Sequence, residues 1–148
     1  MIIRPVCGED VSRVTALTQQ LGYGTITEAV IVQHIDRIIK ATHDFVDVAV
    51  EQDRVVGYVV LHLVPIFHQP GYIATITALV VEEQLRSQGI GQALLQHIEQ
   101  KAKALGVIKL EVLSNKRRED AHRFYRQNGY EERSHCFVKI LNPNAHYY

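Results

Sequence analysis

Hydrophobic positions change period several times along the chain, and each change marks an element. Residues 2–6 form a short apolar run suited to a strand. Behind Glu9 and Asp10, the positions Val11, Val14, Leu17 and Leu21 recur at spacings of three and four, one face of a helix that Gly22 and Gly24 break. Thr25 and Glu28 have the spacing of a capping box, and the stripe Ile31, Ile35, Ile38 carries a second helix to about Thr42. Residues 45–50 and 55–64 are β-branched runs joined by Glu51-Gln52-Asp53-Arg54, which reads as a hairpin. A loop over 65–71 and a strand over 72–81 follow.

Beyond Val81 the pattern turns to loop, helix, strand, helix, strand. Ile90, Leu94, Ile98, Ala102 and Leu105 mark a long helix with Gly106 as its C-terminal cap, and 107–113 reads as a buried strand. Glu119 and Asp120 favour the first turn of a helix carrying Ala121, Phe124 and Tyr125, ending at Asn128-Gly129, and 133–140 predicts a closing strand. The order β-α-α-β-β-β-α-β-α-β-β mixes hairpins with one βαβ crossover. It predicts an α+β (mixed-sheet α/β) domain with helices on the faces of a central mixed sheet.

Composition narrows the partners. With 148 residues and 47% apolar content the chain reads as one domain, 1–148, with a sizeable core. Lys plus Arg and Asp plus Glu are 16 each, so the net charge is zero and no basic surface for nucleic acid is expected. Neither a signal peptide nor an apolar stretch long enough to span a membrane is evident, and Cys7 and Cys136 read as reduced thiols of a cytoplasmic protein. Eight histidines show no H-x-x-x-H or H-E-x-x-H spacing, so no metal site is expected.

The sharpest local chemistry is Arg86-Ser87-Gln88-Gly89-Ile90-Gly91-Gln92, a glycine-containing loop between the strand ending Leu79-Val80-Val81 and the long helix. The first amides of a helix lack intrahelical partners, and glycines let a pyrophosphate approach the backbone. The third glycine and ribose-binding acid of a Rossmann fingerprint are missing, as is the Gly-Lys-Ser/Thr of a Walker loop. Taken with Ala93-Leu94-Leu95, Ala121, Phe124-Tyr125 and Gly129-Tyr130, the R-x-x-G-x-G loop resembles the GNAT superfamily of acetyl-CoA-dependent N-acetyltransferases. The segments 114–125, 129–131 and 134–139 further resemble bacterial aminoalkylphosphonate and aminoglycoside-type small-molecule acetyltransferases.

The resemblance implies a GNAT-like acyl-CoA N-acyltransferase fold and direct attack of a small primary amine on acetyl-CoA. Leu79, Val80 and Val81 would offer backbone to the pantetheine arm, and Arg86, Ser87, Gln88, Gly89, Ile90, Gly91 and Gln92 would hold the phosphates. Tyr125 matches the acid that protonates the leaving thiolate, and Asn115 would contact the coenzyme, although the Asn that many members carry before the Phe-Tyr pair corresponds in spacing to Arg118. The strand 73–78 carries no carboxylate to serve as base. His62 or His68, or a water held by Thr75 or Thr77, is left to take the amine proton, with His62 favoured because a strand holds it. Other readings are a protein or peptide N-acetyltransferase and a non-catalytic coenzyme A-binding module. A homodimer is compatible with the resemblance, and neither nucleic acid nor membrane is an expected partner.

Overall fold

Strand pairing follows chain order. β1 (Ile2–Pro5), β2 (Asp44–Glu51), β3 (Arg54–Pro65), β4 (Tyr72–Val81) and β5 (Val107–Val112) lie side by side as β1-β2-β3-β4-β5. The first four are antiparallel, and β4 pairs with β5 in parallel. The computed structural model describes residues 1–114, 118–133 and 136–144. They divide into two units, Met1–Leu113, which holds the sheet, and Ser114–Tyr148.

Side-chain alternation sends β2, β3 and β4 residues to two faces. On one face Val46, Val48, Tyr58 and Val80 meet Val14 and Leu17 of α1 (Val11–Gln20) and Ile31 and Ile35 of α2 (Glu28–Lys40). The other face packs under α3 (Ile90–Ala104), whose Leu94, Leu95, Ile98 and Ala102 are buried. Gly57 is where α3, β3 and β4 crowd together. A Cβ there would stand 2.7 Å from the Val80 carbonyl oxygen and 3.1 Å from Leu94 Cδ1.

Three local expectations change. Thr27, not Thr25, caps α2, its Oγ1 accepting the Val30 amide at 3.4 Å. Glu28 is therefore the first helical residue, too early to reach back as a capping-box glutamate. The β2–β3 turn contains two residues, Gln52 and Asp53, both at positive φ, so β3 begins at Arg54. β5 is not buried: it ends the sheet order, and Ile108 on it is 61% exposed.

The second unit contains α4 (Glu119–Gln127), whose end is closed by Gly129 at φ 87 as the sequence predicts. No strand occurs among the described residues that follow α4. Residues 136–140 have the composition of a strand, but a strand exists only where a neighbour completes its hydrogen bonds, and Phe137 and Val138 stand exposed.

Candidate active site

Two bulges shape the first unit's site. Between β2 and β3, Val50 pairs with Val55 and Ala49 with Gly57, leaving Val56 as an extra residue. Between β3 and β4, Val60 pairs with Ala78 and Leu61 with Ile76, leaving Thr77 extra. Thr77 is also the one exposed residue of β4.

The second bulge coincides with a change on the opposite edge of β4. Its parallel pairing with β5 stops at Ile76↔Val112, while β4 runs on to Val81. Glu82 donates its amide to the Val56 carbonyl at 2.8 Å, so the alternate residues Leu79 and Val81 turn their backbone groups away from β3, toward the edge that β5 has left. The Arg86 side chain folds back to that point, its Nε donating to the Val81 carbonyl at 3.2 Å.

The loop then turns into α3 through two left-handed residues, Ser87 at φ 63 and Gly89 at φ 88. Gly89 is the N-cap, no side chain caps the helix, and the first helical hydrogen bond runs from Ala93 to the Gly89 carbonyl at 3.0 Å. The leading amides of this 15-residue helix are thus left to an external acceptor. Space beside Gly89 is open: a Cβ there would meet nothing within 4 Å. Backbone edge, uncapped helix start and open glycine fit an extended thioester arm ending in phosphates.

Glu82 was not apparent from the sequence. Its buried carboxylate accepts from both terminal nitrogens of Arg54, at 2.9 and 2.5 Å, and pairs with Arg13 of α1 at 3.3 Å. It ties the start of the phosphate loop to the β2–β3 hairpin and to α1.

His62 lies on the α1/α2 face of the sheet, directly opposite Asp44. Its Nδ1 is 2.7 Å from Asp44 Oδ1, and its Nε2 is 3.0 Å from Thr77 Oγ1. His68 is exposed on the β3–β4 loop. Nothing in the sequence marks Asp44 either: the strand that leads into the phosphate loop is β4, and this carboxylate reaches His62 from β2.

Tyr125 belongs to the second unit. It contacts Phe124 and Tyr130 edge-on, with centroids at 5.3 and 5.7 Å. Burial pushes its phenol pKa above the ordinary value, offset in part by Arg118, so the hydroxyl keeps its proton at neutral pH. Asn115 lies outside the described residues.

The model of the acetyltransferase (GNAT) family matches residues 16–130. The chain belongs to that family. A curated relative, the aminoalkylphosphonate N-acetyltransferase of Salmonella typhimurium, is 38% identical over 93 residues. That alignment covers 63% of this chain, which thus spans 60% of the relative's length. Among solved structures, a transcriptional regulator from Bacillus halodurans superposes with TM-score 0.87 at 26% identity, covering 95% of this chain and 99% of its own. An aminoglycoside N-acetyltransferase in complex with CoA superposes with TM-score 0.83, covering 95% of each chain, and at 13% identity that likeness shows the fold. No described helix is long and apolar enough to cross a membrane.

Proposed function

We propose that the protein is an acetyl-CoA-dependent N-acetyltransferase acting on the primary amine of a small molecule. The observation that carries this reading is the pairing of an uncapped, glycine-opened α3 start with a β4 edge that loses its neighbour at Ile76. Leu79 and Val81 would bind the pantetheine arm by backbone, and Val80 between them packs in the core. Arg86, Ser87, Gln88, Gly89, Ile90, Gly91 and Gln92 would cradle the phosphates. The relative's name favours an aminoalkylphosphonate-like amine.

Acetyl-CoA supplies an acetyl thioester. One amide on the β4 edge, near Val81, would polarise its carbonyl. His62 accepts the proton that the amine nitrogen sheds, and the Tyr125 phenol donates to the departing sulfur. An alkylamine with pKa about 10.4 is overwhelmingly protonated at neutral pH, so a proton acceptor at the site matters to rate.

The test is thiol release from acetyl-CoA across aminoalkylphosphonates, aminoglycosides, polyamines and free peptides, with coenzyme binding measured by calorimetry. At least one small amine should be turned over in preference to peptides. Gly91→Val should weaken coenzyme binding by roughly tenfold or more while leaving the fold intact, since the side chain enters phosphate space. Coenzyme binding without turnover of any amine would make the protein a binding module. Unchanged affinity in a folded Gly91→Val would remove the phosphate loop from the site.

A further inference from the structure

We infer that the amine proton reaches His62 through the Thr77 hydroxyl, and that Asp44 is the positioning residue that keeps His62 ready to receive it. The inference rests on the acetyltransferase reading above and concerns how its base is built.

The hydrogen-bond pattern permits one proton arrangement while the imidazole is neutral. An ionised Asp44 only accepts, so His62 Nδ1–H donates to Oδ1 across 2.7 Å. Nε2 then carries the lone pair, and Thr77 Oγ1–H donates to it across 3.0 Å. Nε2 is therefore already engaged by a hydroxyl, and that hydroxyl belongs to the exposed residue of β4. The bulge supplies the placement. Thr77 has no partner on β3, and it is the exposed residue of β4 at the point where the free edge begins. Of its neighbours, Thr75 is the β4 residue that pairs with His62 in register, yet the hydroxyl on the ring belongs to Thr77.

The free-base form of the amine bonds through its nitrogen lone pair to the acetyl carbon, the carbon–sulfur bond breaks with its electron pair going to sulfur, and the nitrogen sheds a proton to Thr77 Oγ1. The hydroxyl passes its own proton to His62 Nε2, leaving an imidazolium held on Asp44. The sulfur takes the Tyr125 proton. His62 returns its proton to solvent and Tyr125 is reprotonated, so the protein ends unchanged. The arrangement is that of a carboxylate–imidazole–hydroxyl triad, with the hydroxyl moving a proton instead of attacking carbon.

Nitrogen-15 spectra of the free protein at about pH 8, above the ordinary histidine range near 6.5, test the array without any substrate. Protonated Nδ1 and bare Nε2 are expected for His62, and Asp44→Asn should reverse this tautomer because its amide can donate to Nδ1. In turnover with the amine chosen by the panel, Thr77→Val should lower kcat at least tenfold with coenzyme affinity unchanged, and Thr77→Ser should restore most of it. Asp44→Asn should also lower kcat at least tenfold. A Thr77→Val enzyme with wild-type kcat beside an inactive His62→Gln would overturn the relay and leave His62 as a direct base. A protonated Nε2 in the wild type would overturn it on structural grounds. Absence of acetyl transfer from the wild type to any amine would overturn the function and the relay together.

Discussion

Two aspartates three residues apart on β2 each hold a histidine, and they work on opposite faces of the sheet. Asp47 faces α3 and is 1% exposed. It accepts from His97 Nε2 at 2.6 Å and from Lys101 Nζ, and Lys101 also lies over the Phe45 ring, 5.1 Å from its centroid. Asp44 faces the other way, is 39% exposed, and holds a histidine whose second nitrogen meets an exposed hydroxyl. The same residue pair thus appears once with a histidine and a lysine closing on a buried carboxylate, and once with a proton path leading outward. Burial and the identity of the third partner, more than the Asp–His contact, separate a clamp from a working group.

The largest effect should come from breaking the clamp. Asp47→Ala removes the buried acceptor of the His97 Nε2 and Lys101 Nζ hydrogen bonds, which should cost about 3 kcal/mol of stability. Chemical denaturation would register this as a lower midpoint, whereas Asp44→Asn should move the midpoint little. Equal destabilisation by the two variants would end the distinction. Residual folded Asp47→Ala should still turn over amine.

Tyr125 sharpens the contrast, because it is partly buried yet is assigned to chemistry. Tyr125→Phe should lower turnover by about 10²-fold, some 2.7 kcal/mol of activation free energy, with coenzyme affinity and stability nearly unchanged. Burial, its largest influence, raises the phenol pKa. Any loss of rate from ionising this acid should therefore begin only above about pH 10. Steady-state profiles should show Tyr125→Phe lacking that basic limb. A variant that unfolds while its folded fraction keeps full activity would place Tyr125 with Asp47.

The smallest effect concerns a third carboxylate, Asp10, which has no histidine. Burial pushes its pKa up, but the paired hydrogen bonds from Arg4, at 2.8 and 2.9 Å, and one from the Cys7 amide outweigh that, and the net shift is downward. A lowered folded-state pKa means stability present above the unfolded value and lost as pH falls through the folded one. Asp10→Asn should cost roughly 1.5 kcal/mol near neutrality, and the gap to wild type should narrow below about pH 4. Thermal melts at several pH values would check it; a gap constant down to pH 2 would exclude the ion pair as its source.

Much of this was legible along the chain. The stripes Val14/Leu17 and Ile31/Ile35 placed α1 and α2 because a helix that must bury one face repeats every 3.6 residues. Loss of that period at Gly89 and Gly91, between a β-branched strand and a new stripe, located the phosphate loop. The family could be named from those residues with Phe124, Tyr125 and Gly129. His62 was among the candidate bases, but its partners were not readable. Counting outward from the Gln52-Asp53 turn sets Asp44 opposite Leu61; only the extra residue Val56 moves the pairing to His62. A one-residue shift exchanges the two faces of a strand, so this bulge decides which side chain shares a face with Asp44. The Thr77 bulge is likewise invisible in a run of β-branched and small residues. Local sequence determined which segments become helices and strands and where an anion can meet backbone, because those depend on neighbours within a few positions. Register across strands decided which acid, base and hydroxyl touch, because a bulge is selected by the packing of whole faces and leaves no mark at the residues it aligns.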